Sequence, residues 1–193
     1  MFDQFWKFTE LFVSFSEQEK ELIKRHLIPR DVPKNQILID LGEVAKELFF
    51  INHGLIRFYY LTEEGDEITG FIFQENMFAG SHESFFNHEP STQVLETLEA
   101  CELLVLNDDK LHQLYREVPK MNTLGRKILE QRMAFAQKVI AALIINKPKD
   151  RYTTYRDLHP HLENRIPQHI LATYLGITPV SLSRIRKRLA KER

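Results

Sequence analysis

The chain of 193 residues has a single cysteine, Cys101. This excludes an intrachain disulfide and any metal cluster built only from the cysteines of one chain. No apolar run approaches the roughly 18 residues of a membrane span. The opening residues include Phe and Trp but no basic region followed by an apolar core. Neither export nor membrane insertion is therefore expected, and a cytoplasmic location is. P-loop, GxSxG and HExxH patterns are missing, which removes the chemistries those motifs carry. Lysine and arginine are also missing between Arg57 and Lys110, so that stretch has no cation of its own to offer an anion.

A net charge of −1 conceals a division along the chain. Residues 147–193 hold eleven Lys/Arg against four Asp/Glu, whereas residues 1–146 hold fifteen against twenty-three. A basic end on an acidic body points the end alone toward phosphate, because that attraction is electrostatic. The apolar fraction of 43% is ample for a buried core in one large domain or two small ones.

The basic end is organised around Ile166 to Ala190. Pro167 suits a first helical position, and Ile170, Leu171, Tyr174 and Leu175 come after it at helical spacing. Gly176 stands where a left-handed residue would stop that helix, and Thr178 with Pro179 supplies an N-cap and first turn for another. In the second helix Leu182, Ile185 and Leu189 share one face, while Val180, Ser183, Arg184, Lys187 and Lys191 share the opposite one. This is the build of a helix-turn-helix, whose second helix enters the DNA major groove. Arg184 is the candidate base reader, since arginine can contact guanine through two hydrogen bonds. Thr178, Ser181 and Ser183 suit phosphates or less selective base contacts, and Lys187, Arg188 and Lys191 add basic contacts. The competing interpretation is an amphipathic helical hairpin with a solvated charged face.

From the start, Phe2, Phe5, Trp6, Phe8, Phe12 and Phe15 predict a helical segment packed on the neighbouring part of the chain, with a partner-binding stripe as the alternative. Ser16 with Glu19 predicts a capping box for a helix reaching His26 and ended by Pro29. Between Asp31 and Asn107 the texture is that of strands: QILID, ELFFIN, LIRFYYL, EITGFIF, TQVLETL and CELLVL. Asn52-His53-Gly54 and Glu63-Glu64-Gly65-Asp66 are turn candidates between antiparallel partners. Strands at this spacing imply a small barrel or double-sheet roll. Met77 to Thr92 reads as a longer connection whose glycine and hydroxyls could hold a small anion or could be ordinary turn residues.

From Pro119 the period is helical again, with Met121, Leu124, Ile128, Phe135 and Val139 on a stripe that Lys147-Pro148 ends. Burial against the same stripe of a second copy would form a homodimer; an intrachain role is the alternative. The basic domain then opens with a helix over about Tyr152 to Leu158. The boundaries are a sensor domain at 1–118, a connecting and dimerisation helix at 119–147, and a helix-turn-helix domain at 148–193. The fold class is α+β.

In this order of elements the chain resembles the Crp/Fnr family of bacterial transcription regulators. The resemblance is carried by LFFINHGLIRFYYLTEEGDE at 48–67, by FAGSHESFF with EPST, and by YLGITPVSLSRIRKRL. It implies an antiparallel β-roll like a cyclic-nucleotide-binding domain, followed by a long dimerisation helix and a C-terminal helix-turn-helix. It also implies a homodimer that binds a palindromic site on double-stranded DNA and touches RNA polymerase. The phosphate-binding segment of such a roll would fall on Gly80, Ser81, His82, Glu83, Ser91 and Thr92. Family members that bind cyclic nucleotide place Glu directly after the pocket glycine and an Arg-Ser or Arg-Thr pair about ten residues on. Here Ser81 follows Gly80, and Ser91-Thr92 replace that pair. A cyclic phosphate would lose its charge-assisted partner, so cyclic AMP is not expected as the effector. A cyclic-nucleotide-responsive regulator that uses hydroxyls and backbone amides instead is the alternative. One cysteine excludes the iron–sulfur version of the family, and the three residues after Ala190 leave no room for a β-hairpin wing.

Eight histidines raise a third possibility, a metal-dependent enzyme of the cupin type. Only His159 and His161 are close in sequence, and His82 and His88 lack a third ligand at fitting spacing. No enzymatic activity, metal or cofactor is expected.

Overall fold

The computed structural model describes residues 2–162 and 164–191. α1 (Phe2–Glu10) is pinned by its aromatic residues: Phe5 is fully buried and meets Phe50 edge-on, with ring centres 5.1 Å apart. α2 (Glu17–His26) starts on the expected capping box, in which Glu19 N–H donates to Ser16 Oγ at 3.3 Å and Ser16 N–H donates to Glu19 Oε2 at 2.7 Å. The reciprocal bonds satisfy two donors that the first helical turn leaves without partners.

Eight strands come next: β1 (Ile28–Val32), β2 (Ile37–Ile39), β3 (Glu47–His53), β4 (Ile56–Leu61), β5 (Glu67–Phe73), β6 (Phe78–Ala79), β7 (Val94–Thr97) and β8 (Cys101–Asn107). They form two antiparallel four-stranded sheets, ordered β1-β8-β3-β6 and β2-β7-β4-β5. Pro29 does not merely end α2; it lies within β1, an edge strand, where a missing N–H does least harm. The Glu63 to Asp66 turn closes the β4–β5 hairpin as expected. The Asn52 to Gly54 turn instead carries the chain from one sheet to the other, since β3 pairs with β6 and β8 while β4 pairs with β5 and β7. Gly54 turns at φ +111°, and a Cβ there would lie 2.5 Å from Cys101 Sγ. The crossing therefore needs glycine both for conformation and for space.

The roll is filled by large side chains. Phe49, Phe50, Phe73, Phe85, Leu95 and Leu103 have no exposed surface. The connection from Met77 to Thr92 is more regular than its sequence suggests, because it contains β6 and the short helix α3 (His82–Asn87). α4 (Asp108–Glu117) then buries Leu111 and Leu114 on the roll and leads into the long helix α5 (Lys120–Ile145). α6 (Pro148–Leu158) begins earlier than expected, because Pro148 occupies its first position; it separates α5 from α6 and starts the latter. α7 (Gln168–Tyr174) begins just after Pro167, and α8 (Pro179–Lys191) lies beyond the turn.

Two apolar clusters result. One holds the roll together with α1, α2, α4 and the start of α5. The other joins Tyr152, Tyr155, Ile170, Leu171, Leu175 and Leu182 of the helical end to Leu55, Ile72 and Leu98 of the roll.

Candidate functional site

The turn between α7 and α8 is built as its residues dictate. Gly176 adopts φ +63°, and its N–H donates to Thr173 O at 3.0 Å, ending α7. Thr178 caps α8, its Oγ1 accepting from Ser181 N–H at 3.1 Å and donating to Ser181 Oγ at 2.9 Å. Both hydroxyls are thus engaged within the cap. Leu182 is fully buried between the helices, and Ile185 and Leu189 pack on the same cluster. Helical periodicity then turns Val180, Arg184, Lys187 and Lys191 outward; Val180 is 60% exposed, and Arg184, Lys187, Arg188 and Lys191 lie on the outer side with it. Ser183 lies half-buried beside them.

Two further residues fix this unit and were not anticipated. Gln168 Nε2 donates to Pro179 O at 2.9 Å, tying the start of α7 to the start of α8. Arg186 faces inward, its Nε donating to the Tyr152 hydroxyl at 3.2 Å. Of the basic residues on α8, Arg186 is thereby given to packing rather than to the outer face.

The helical end is docked on the roll. Arg165 forms ion pairs with Glu75 (Nη2 to Oε1, 2.6 Å) and Glu99, and Glu75 also accepts from Gly54 N–H at 3.0 Å. Thr173 Oγ1 accepts from Thr69 N–H at 3.3 Å. Tyr174 meets Phe71 edge-on at 6.4 Å, and burial pushes the Tyr174 phenol up to about 12. Nothing in the local sequence signals this docking, since Arg165 and Glu75 are ninety residues apart.

The connection between Gly80 and Thr92 places its polar groups against one another. Ser91 Oγ bonds Ser81 Oγ at 2.8 Å and Gln93 O at 2.7 Å, and Gln93 Nε2 donates to Ser81 Oγ at 3.1 Å. Ser84 Oγ donates to Glu89 O and accepts from Ala45 N–H at 2.8 Å. Ser81, Ser84, Ser91 and Gln93 are all buried, whereas Glu83 and Thr92 are exposed. A Cβ on Gly80 would sit 2.7 Å from Leu48 Cδ2, so the glycine marks close packing. His82 turns away from the hydroxyl cluster: its Nδ1 donates to Gly80 O at 2.8 Å and its Nε2 accepts from Arg132 Nη1 at 3.2 Å. This tautomer is set by the two partners, since an arginine can only donate.

The stripe expected to form a dimer seam is occupied within the chain. Met121 and Leu124 lie in the core of the roll, 5% and 1% exposed, and Ile128 packs on it. Phe135 meets Phe71 edge-on at 5.9 Å, and Val139 lines a cleft shared with Tyr155 and Tyr174. Of the residues read as a dimer seam, Met121 and Leu124 are thus taken up by the roll, and Ile128, Phe135 and Val139 are half-buried within the chain. The free apolar face of α5 is instead Leu129, Met133, Ile140 and Ile144, which recur at heptad-like spacing and are 46%, 63%, 56% and 78% exposed.

Among the described residues no group of three His, Cys, Asp or Glu could hold a metal ion, and no helix is long and apolar enough to cross a membrane. Cys101 is buried with its thiol pushed up to about 12, chiefly by burial, which makes it a packing residue rather than a nucleophile.

Residues 29–118 match the family described as cyclic nucleotide-binding domain. The chain is 27% identical over 198 residues to the fumarate and nitrate reduction regulatory protein of Yersinia pestis, covering 95% of this chain and 78% of that one. It is 26% identical over 189 residues to electron transport regulator A of Shewanella oneidensis, covering 91% and 72%. Among solved structures it resembles the c-di-GMP responsive global regulator CLP of Xanthomonas campestris, with TM-score 0.71 and 20% identity over 92% of this chain and 93% of that one. A structure described as a regulator of the crp/fnr family from Eubacterium rectale gives TM-score 0.69 and 17% identity over 92% and 85%. The roll, the long helix and the helical end thus occur together in proteins of one kind, and the relatives matched over nearly all of the chain are regulators. Residues 29–118 thus carry a cyclic nucleotide-binding domain, and over nearly all of its length the chain is similar to regulatory proteins, with the fold of a Crp/Fnr regulator.

Proposed function

We propose that the chain acts as a homodimer that reads two half-sites of a palindromic DNA sequence through α8 and touches RNA polymerase from the bound position. Regulators of this family bind DNA and act as dimers. The observation that carries the DNA-reading surface is the outward basic face of α8, anchored by buried Leu182 and begun directly after the Gly176 turn. Arg184 is the base reader; Val180 and Ser183 flank it, and Lys187, Arg188 and Lys191 meet the backbone. Thr178 and Ser181 use their hydroxyls to cap α8, and Thr178 also takes the N–H groups of Ser181 and Leu182. Residues 1–118 form the sensor, 119–147 the connecting helix and 148–193 the DNA-binding part.

The same proposal leaves cyclic nucleotide out. The hydroxyls of Ser81 and Ser91, which could replace the missing arginine, already bond each other, and the surrounding segment between Arg57 and Lys110 has no Lys or Arg. Selection of bound sequences from a random duplex pool tests the DNA reading. An inverted repeat whose halves lie about 10–10.5 base pairs apart, or a multiple of it, is expected. A pool with no enriched repeat would overturn it.

A further inference from the structure

Among the described residues of α8, Val180 is the one large apolar side chain left exposed. Leu182 is buried, and Ile185 and Leu189 pack on the helical cluster, whereas Val180 stands 60% exposed in the first turn, on the same outer side as Arg184. The polar groups around it are already taken. Thr178 Oγ1 donates to Ser181 Oγ at 2.9 Å and accepts from Ser181 N–H at 3.1 Å, while Thr178 O accepts from Leu182 N–H at 3.0 Å. Pro179 has no N–H, and its carbonyl accepts from Gln168 Nε2 at 2.9 Å. The outer side of the first turn is therefore made of the Val180 isopropyl group and the exposed Pro179 ring, which neither donate nor accept hydrogen bonds.

In the major groove a base edge presents donors and acceptors, and any of these pressed against Val180 would give up water without gaining a partner. One group on the base edges escapes that cost, the C5-methyl of thymine. From an exposed valine in a first turn whose polar groups are satisfied, we infer that Val180 reads this methyl, so that each half-site carries a thymine at a fixed place beside the base read by Arg184. The inference rests on the DNA reading by α8 proposed above and adds to it the chemistry of a second base. Val180 and Arg184 are four positions apart, a rise of about 6 Å along the helix against about 3.4 Å for each stacked base pair, which puts the thymine within about two base pairs of the Arg184 contact. Two features fix the valine for this task. Gln168 ties the start of α7 to the carbonyl of Pro179, the residue before Val180. In a helix valine is also held close to one χ1 rotamer, so little side-chain freedom is left to lose on contact. A methyl contact displaces no counterion, so this preference, unlike the phosphate contacts, should not fade with salt.

Deoxyuridine in place of thymine removes the methyl and leaves base pairing intact, which isolates the contact. Each thymine in the half-sites of the selected duplex is replaced in turn, and binding of the full chain is measured at low and at high salt. One position in each half-site is expected to weaken binding by about 3- to 5-fold at both salt concentrations, the effect of one buried methyl group. Val180→Gly should bind thymine and deoxyuridine equally at that position, and Val180→Asn should exchange the thymine preference for adenine, which an amide side chain can contact through two hydrogen bonds. Selected half-sites without such a thymine, a wild type indifferent to deoxyuridine at every position, or undiminished sensitivity in folded Val180→Gly overturns the inference. Should Val180→Gly not fold, the wild-type scan decides alone. A pool with no enriched repeat overturns the DNA reading and this inference with it, whereas an enriched repeat without methyl sensitivity overturns this inference only.

Discussion

Arg165 Nη2 lies 2.6 Å from Glu75 Oε1, and this ion pair joins the helical end to the sensor roll across ninety residues of sequence. Burial works against the Glu75 carboxylate, but bonds from Arg165 and from Gly54 N–H outweigh it, and its pKa falls below the ordinary 4.5. A carboxylate whose pKa is lowered on folding stabilises the docked state fully above its ordinary value. That contribution is lost as pH falls through the lowered value. Arg165→Gln should loosen the docking by about 1–3 kcal/mol. Proteolysis between 145 and 168 should then accelerate, and in the wild type it should accelerate below about pH 4.5. Equal cleavage of the two chains at neutral pH would show that the ion pair does not hold the units together.

The two faces of α5 should respond differently to the same substitution. Met133→Glu or Ile140→Glu places a charge on the free apolar face and should yield folded monomers with weaker DNA binding. Leu124→Glu puts the charge into the roll, where Leu124 is 1% exposed, and should cost more than about 4 kcal/mol of stability. Sedimentation at micromolar concentration with thermal unfolding separates these outcomes. A stable dimer from Met133→Glu would move the seam elsewhere.

Cyclic AMP and cyclic GMP should not bind at physiological concentrations. Ser91→Ala removes one hydroxyl from a cluster that includes Ser81 and Gln93 and should reduce stability by about 1–2 kcal/mol without changing any response to nucleotide. Calorimetry with both nucleotides, beside thermal unfolding of the variant, is the check. Micromolar binding abolished in Ser91→Ala would contradict it.

Features set by neighbouring residues are legible in the sequence: the Ser16–Glu19 box, the Gly176 turn, the Thr178 cap and six of the eight strands, all but β1 and β6. Each depends on side chains within a few positions. β1 is hidden because Pro29 also signals the end of a helix, and edge position alone makes it tolerable in a strand. α4 could have been found from Asn107 followed by Leu111 and Leu114 at helical spacing. The inward face of α5 cannot be chosen from the sequence, since the helix carries two apolar stripes and periodicity does not say which one meets the roll. Arg132 bonds Phe78 O and His82 only because the fold brings those distant residues beside α5.

DNA reading by α8 is the central claim, and binding of wild type, Arg184→Ala and Lys187→Ala to the selected duplex and its single-base variants tests it most directly. Arg184→Ala should weaken binding by about 1–3 kcal/mol and relax preference at one base in each half-site. Lys187→Ala should keep the sequence preference while lowering the slope of log affinity against log salt by about 1 for each phosphate no longer neutralised. If neither substitution changes affinity, preference or salt slope, α8 does not read DNA and the central claim fails.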